Sequence, residues 1–100
     1  MIDETLRVFK ELDSKDFRIL TGTEAGMKHF EWVPIEELNK YTRLPLDKLE
    51  YRLKKLVRNK LVVRTTQPYE GFQIYFEGYD ALALNAFVKR KSISAIGDEV

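Results

Sequence analysis

The chain has 100 residues, of which 44% are hydrophobic and 33% are charged, and its formal net charge at pH 7 is +1. These values are typical of a single globular domain, and the lack of cysteine excludes disulfides, thiol nucleophiles and zinc–cysteine sites. No apolar run approaches the ~20 residues that a membrane-spanning helix needs. The N-terminus has early acids and no signal-peptide core, so we expect a cytoplasmic protein without a membrane partner.

The N-terminal half of the sequence predicts three helices. The first, Asp3–Leu12, has acids in its first turn, where they suit the positive end of the helix dipole. Asp13 or Ser14 can cap a second helix, and Pro34 is expected at the first position of a short third helix. Between these helices, the aromatic and β-branched stretch Phe30–Val33 predicts a short strand or an extended bridge.

The stretch Leu46–Lys60 predicts an amphipathic helix. Its apolar residues recur at spacings of three and four, as in a helix that packs one face on a core. They are Leu46, Leu49, Leu53, Leu56 and Val57. Residues 43–64 contain eight basic and two acidic side chains, so this segment has a charge of +6 and the remainder has −5. Such asymmetry indicates a polyanionic partner.

The elements after this helix predict a wing. Leu61–Thr66 and Phe72–Phe76 are rich in β-forming residues, and Gln67–Gly71 between them has the proline and glycine of a turn. Alternate apolar residues of the second strand, through Phe76, are expected to face the core. A hairpin directly after two helices joined by a short turn predicts a winged helix-turn-helix fold. This fold is mainly α with a small antiparallel β wing: a three-helix core plus the hairpin, an extra N-terminal helix and a C-terminal linker helix.

Three parts of the chain are predicted from these elements. Residues 1–76 form the winged helix-turn-helix domain, and residues 77–91 form the linker helix, whose terminal Lys89-Arg90-Lys91 complements the helix dipole. Residues 92–100 combine serines, β-branched residues and a glycine, so we expect them to begin a following domain.

The cationic face of Leu46–Lys60 is the candidate nucleic-acid interface. The second helix of a helix-turn-helix offers lysine and arginine to phosphates and guanine edges, and aromatic or amide groups to bases. Lys48, Tyr51, Arg52 and Lys55 are expected to project outward. The full set of candidates is Arg43, Lys48, Tyr51, Arg52, Lys55 and Arg58. Because charged residues also cover any exposed helix, a plain solvated face is the alternative. The wing tip has no basic residue and contains Glu70, which argues against minor-groove contacts.

No catalytic or metal-binding residue is predicted. His29 is the only histidine, and a metal site would lack further nitrogen or sulfur ligands. Nothing near His29 forms a nucleophile–base pair. Glu36 and Glu37 diverge by ~100° on a helix, so we interpret them as partners of the helix dipole. The sequence has no glycine-rich phosphate loop.

Four stretches of the C-terminal third carry a family resemblance: Tyr69–Phe72, Phe76–Leu84, Lys89–Lys91 and Ala95–Gly97. They resemble the RIO family of atypical serine/threonine protein kinases, and more narrowly the archaeal and eukaryotic subfamily with an N-terminal winged helix ahead of the kinase domain. The Tyr79–Leu84 run and the closing Ala95-Ile96-Gly97 are the specific part of this resemblance.

The resemblance implies that the chain is an N-terminal fragment followed in cis by a kinase domain. The parent enzyme would bind ATP and magnesium and act in maturation of the small ribosomal subunit. None of the family's catalytic motifs falls within residues 1–100, so this chain is expected to have no enzymatic activity and no cofactor. The winged helix itself would bind ribosomal RNA or the pre-ribosomal small subunit.

Two other functions stay open from the sequence. A winged-helix DNA-binding transcription regulator would be expected to dimerise, because operators are usually two-fold symmetric. A protein-docking winged helix without a nucleic-acid ligand would use an aromatic surface of Trp32, Tyr69 and Phe72.

Overall fold

The structure is a computed structural model that describes residues 7–99, with side chains described through residue 89. Residues 7–10 are helical, and the start of the predicted helix at Asp3 lies outside the described residues. The elements that follow are α1 (Ser14–Gly26), β1 (Val33–Pro34), α2 (Ile35–Thr42), α3 (Leu46–Arg58), β2 (Val62–Thr65), β3 (Gly71–Ile74) and α4 (Phe76–Glu99).

A capping box begins α1. The Asp13 carboxylate accepts hydrogen bonds from the backbone N–H groups of Lys15 and Asp16, each at 3.0 Å, and the Asp16 carboxylate accepts from the N–H of Asp13 at 3.0 Å. These bonds satisfy backbone donors that a helix start leaves without partners. Asp13 is therefore the residue that caps this helix, as the sequence allowed.

Both helices of the helix-turn-helix begin after a proline. Pro34 and Pro45 are the cap residues and lie just outside α2 and α3, so Pro34 is not the first helical residue as predicted. α3 ends at Arg58 and not at Lys60, because Lys60 takes a positive φ of 63°. The N–H of Leu61 then bonds back to the carbonyl of Leu56 at 2.9 Å, which closes the helix end.

The three strands form one antiparallel sheet in the order β1-β3-β2. The wing strands pair with Val62 opposite Ile74 and Thr65 opposite Gly71, and β1 adds a short third strand. The prediction that Phe76 belongs to the second wing strand and faces the core is wrong, because Phe76 begins α4 and is 75% exposed. The fold is the predicted mainly helical winged helix-turn-helix with a small antiparallel sheet.

The core lies between α1, α2, α3, the sheet and the first part of α4. Its buried apolar members are Ile19, Leu20, Val33, Leu38, Leu44, Leu49, Leu53, Leu56, Leu61, Val62, Phe72, Ile74 and Ala81. The predicted apolar face of α3 is confirmed at its three central leucines. Leu46, in the first turn, is 48% exposed and lies outside the core.

α4 is longer than the linker helix predicted for residues 77–91, because it continues to Glu99. It begins against the sheet: the N–H of Tyr75 bonds to the carbonyl of Leu61 at 3.0 Å, and Gly78 is buried against that carbonyl. The predicted division after Lys91 does not coincide with a helix end and stays a prediction. Within the described residues, no helix combines the length and the apolar character needed to cross a membrane.

Candidate nucleic-acid interface

The solvent side of α3 carries one line of exposed side chains. Asp47, Tyr51, Lys54 and Arg58 lie three or four residues apart and are all exposed, so they share one face of the helix. We call these four residues the outer ridge; it lies opposite the three buried leucines. Tyr51 is 73% exposed, and about 10 Å of helix separates it from Arg58. Lys48, also exposed, flanks the ridge one turn before Tyr51.

Arg43 is placed beside the ridge by the turn between α2 and α3. It takes the left-handed conformation, with φ of 59°, and its N–H bonds to the carbonyl of Asn39 at 2.9 Å. The Asn39 side chain donates to the carbonyl of Leu44 at 2.7 Å, and Arg18 donates to the carbonyl of Thr42 at 3.0 Å. The buried Leu44 thus anchors the turn, while the Arg43 side chain is exposed.

A second group of cations on α3 is directed toward α1. Lys55 donates to the Asp16 carboxylate at 2.6 Å, and Arg52 donates to Asp16 at 3.1 Å and to Asp13 at 2.8 and 2.9 Å. The Asp16 side chain is fully buried, whereas those of Arg52 and Lys55 are 21% and 27% exposed. We call these four residues the ion-pair network. It holds α3 on the N-terminus of α1.

The charges of the ion-pair network change the acidity of its members. Partial burial makes the largest contribution at Asp13 and acts to raise its pKa. The Asp16 N–H, the Arg52 guanidinium and the Lys15 N–H together outweigh burial and lower the pKa of Asp13 from its ordinary 3.8 to about 2. The hydrogen bond from Arg52 to the Asp13 carboxylate is the main reason that the pKa of Arg52 is raised. Both groups are therefore held in their charged forms.

The prediction that Arg52 and Lys55 project outward is wrong, because both side chains contact acids at the start of α1. A buried carboxylate needs cationic partners, and the two side chains of α3 that face α1 supply them. Arg43, Lys48, Tyr51 and Arg58 are exposed, so four of the six candidates are accessible to a ligand. Whether any of the six contacts a nucleic acid stays a prediction.

Lys54 was missed as a candidate from the sequence. It is exposed on the outer ridge between Tyr51 and Arg58, at the spacings of three and four that place all three on one face. The helical periodicity could have identified it, because Lys54 is at a larger angle around the helix axis from the buried leucines than Lys48 is. Lys60, just after α3, is exposed as well.

The wing is tied to the rest of the fold by its own polar contacts. Arg64 of β2 pairs with Glu70 across the hairpin, with its Nε 2.8 Å from the carboxylate. The Tyr69 hydroxyl donates to the carbonyl of Trp32 at 2.5 Å. The basic residue nearest the wing tip is thus engaged by an acid, and residues 66–70 contain no lysine or arginine.

A cleft of about 270 Å³ separates α3 from the wing. Its floor is apolar and its rim is charged with both signs. The lining residues are Ile35, Glu50, Leu53, Lys54, Val57, Arg58, Arg64, Glu70 and Phe72. Lys54 and Arg58 therefore border both the cleft and the outer ridge.

Metal-binding clusters are absent from the part of the chain that the structure describes, where no three His, Cys, Asp or Glu side chains are grouped to hold an ion. His29 is exposed in the turn that follows α1. The polar groups on the outer ridge can form ion pairs and stacking contacts, and they offer no pair of groups for acid–base chemistry.

The helix-turn-helix of α2 and α3, followed by a hairpin that joins β1 in one sheet, defines a winged helix-turn-helix protein. Residues 9–90 match the family model described as Rio2, N-terminal. The chain belongs to this family, which confirms the resemblance seen in the sequence.

Two curated relatives agree with this assignment. The RIO-type serine/threonine-protein kinase Rio2 of Methanocaldococcus jannaschii is 43% identical over 74 residues, which is 74% of this chain and 26% of the relative. The serine/threonine-protein kinase rio2 of Schizosaccharomyces pombe is 31% identical over 101 residues, which is 100% of this chain and 29% of the relative. The chain thus spans less than a third of the length of either relative.

Solved structures show the same fold. The Rio2 kinase of Chaetomium thermophilum in its ADP/Mg²⁺-phosphoaspartate complex is 29% identical, with a TM-score of 0.77 over 86% of this chain and 26% of the other. A mutant of S. aureus MepR has a TM-score of 0.80 over 98% of this chain and 74% of the other. Its 10% identity makes this a likeness of fold alone.

Proposed function

We propose that this chain is the RNA-binding winged-helix module of a RIO-type serine/threonine protein kinase that acts in maturation of the small ribosomal subunit. The observation that carries the binding role is a set of five exposed cations in one segment, none of which has an ion-pair partner among the described residues. They are Arg43, Lys48, Lys54, Arg58 and Lys60.

The division of the basic residues supports a polyanionic ligand. Of the eight in residues 43–64, Arg52, Lys55 and Arg64 are neutralised by acids of the same chain. The remaining five are all exposed on or beside α3. Cations held close together by a rigid helix, without ion-pair partners among the described residues, attract a phosphate backbone and release its condensed counterions on binding.

The kinase part of the proposal rests on the relatives. Both curated relatives are named as serine/threonine kinases, and a structural neighbour was solved with ADP and Mg²⁺. We infer that the longer protein binds ATP and magnesium through a kinase domain, which would follow in cis. The role in the ribosomal subunit, and the cytoplasmic location that goes with it, come from the resemblance to the RIO family.

A matched pair of charge variants tests RNA binding. The double variant K54Q/R58Q removes two cations of the outer ridge, whereas K28Q/K89Q removes two exposed cations that lie outside α3 and its adjacent turns. With a fluorescein-labelled hairpin RNA, we expect the first variant to bind about tenfold more weakly and to lower the salt slope by about one unit per lost contact. We expect the second variant to stay within about twofold of the unchanged chain.

Three results would contradict the proposal. Equal losses in the two variants would indicate general attraction without an interface on α3. Absence of RNA binding at low salt would favour a protein-docking winged helix. Tighter binding to duplex DNA by a dimer would favour a transcription regulator, whose two-fold operator sites require paired domains.

A further inference from the structure

We propose that Tyr51 is a stacking platform for an unpaired base, and that the ligand of the outer ridge is a single-stranded RNA segment and not a duplex. This inference rests on the proposed RNA-binding function and specifies its ligand. It follows from three features of the structure: the surroundings of Tyr51, the charge at the start of α3, and the contacts of the wing.

Tyr51 presents an accessible aromatic ring among cations. It is 73% exposed, and its hydroxyl forms no hydrogen bond with any residue in the described range. Lys48 and Lys54 lie three residues to either side of it, and both are exposed. A ring with lysines on both flanks is the arrangement that single-strand binding uses, because the bases stack on the aromatic face while cations contact the adjoining phosphates.

The start of α3 opposes insertion into a duplex groove. Helix-turn-helix proteins contact base edges with the N-terminal residues of their second helix. In this chain those residues include Asp47 and Glu50, both exposed, and their carboxylates would approach the phosphates that border the groove. Double-stranded RNA is excluded further, because its major groove is too deep and narrow for side chains to enter.

The wing lacks the cations that would hold a duplex from the other side. Arg64 is paired with Glu70, and the Tyr69 hydroxyl is bound to the carbonyl of Trp32. Residues 66–70 at the tip contain no lysine or arginine, whereas minor-groove contacts depend on such side chains. Within residues 43–64, the cations without an ion-pair partner in the described part of the chain are therefore confined to α3 and its adjacent turns, around Tyr51.

Two variants at one position test the inference on the unmodified 100-residue background. The probes are a single-stranded RNA that carries 2-aminopurine and the duplex formed by the same strand with its complement. Tyr51→Ala should weaken single-strand binding about tenfold and abolish the quenching of 2-aminopurine, whereas Tyr51→Phe, which keeps the ring, should preserve both. Duplex binding should be weaker than single-strand binding and should not change with either variant.

The outcomes separate this inference from the proposed function. If Y51A binds the single strand as tightly as the unchanged chain while K54Q/R58Q binds it more weakly, the stacking role is overturned and the RNA-binding function stands. If the duplex binds more tightly than the single strand, the choice of ligand is overturned. If neither RNA binds at low salt, the proposed function fails first.

Discussion

Asp16→Asn is the substitution that tests the ion-pair network most directly. The Asp16 carboxylate is fully buried and has three partners: Arg52 at 3.1 Å, Lys55 at 2.6 Å and the N–H of Asp13 at 3.0 Å. Asparagine has nearly the same shape and retains one acceptor oxygen, so the substitution leaves no cavity. What it removes is the negative charge between two cations.

The expected cost follows from burial. Removing one partner from a fully buried ion pair typically costs about 3–5 kcal/mol. Here Arg52 keeps its contacts to Asp13, and both cations are partly accessible to water, so we expect a loss of about 2–3 kcal/mol. For a domain of this size that loss lowers the Tm by about 10–20 °C.

Urea unfolding followed by far-UV circular dichroism measures the effect. A matched control is Glu24→Gln, which changes the same charge at an exposed site of α1 and should stay within about 0.5 kcal/mol. In a background that already carries Lys55→Met, the cost of D16N should fall by about 1 kcal/mol, because one buried pair is gone. A D16N loss below about 1 kcal/mol would refute the reasoning that the network orders α3.

Two further predictions concern pH and packing. Because the folded pKa of Asp13 is about 2 and its ordinary value is 3.8, its stabilisation is complete above pH 4 and is lost as the pH falls through 2. A shift of this size can contribute at most about 2.4 kcal/mol to the free energy of unfolding, and the exposure of Asp13 reduces this to roughly 1 kcal/mol. In thermal unfolding between pH 2 and 5, the stability of Asp13→Asn should therefore depend less on pH than that of the unchanged chain. Gly78→Ala forces a methyl into overlap with the backbone carbonyl oxygen of Leu61, and urea unfolding should show a loss of about 2 kcal/mol. Gly22→Ala, whose methyl meets only the half-exposed ring of Tyr41, should cost less than about 1 kcal/mol, and equal losses would contradict the packing argument.

The helical core of this fold could be predicted because its signal is local. Leu49, Leu53 and Leu56 recur at helical spacing, and all three are buried. Periodicity does not say where the core stops, however, which is why Leu46 was wrongly included. The apolar alternation of strand β3 continues in the sequence to Phe76, where the chain has already turned into α4. Gly78 permits the close approach of that helix to the Leu61 carbonyl, a long-range contact that the alternation does not indicate.

The candidate site could be predicted only in part. The sequence shows which side chains are charged, but it does not show which of them form ion pairs with residues distant in the chain. Arg52 and Lys55 look in the sequence like their neighbours Lys48 and Lys54. Their partners on α1 lie 36 to 39 positions earlier in the chain. Asp13 was assigned to a helix cap, which it is, and nothing in its spacing indicated that the same carboxylate also binds a guanidinium on another helix.

Separating the two groups of cations changes how binding experiments on this domain must be designed. A substitution of Arg52 or Lys55 leaves the buried Asp16 charge short of a partner, so it lowers stability. A fall in RNA affinity in such a variant would therefore reflect unfolded protein as much as lost phosphate contacts. Lys54 and Arg58 pair with no acid among the described residues and can be neutralised without that cost. Variants of the exposed, unpaired cations can therefore distinguish an interface from a structural requirement, whereas variants of Arg52 or Lys55 cannot.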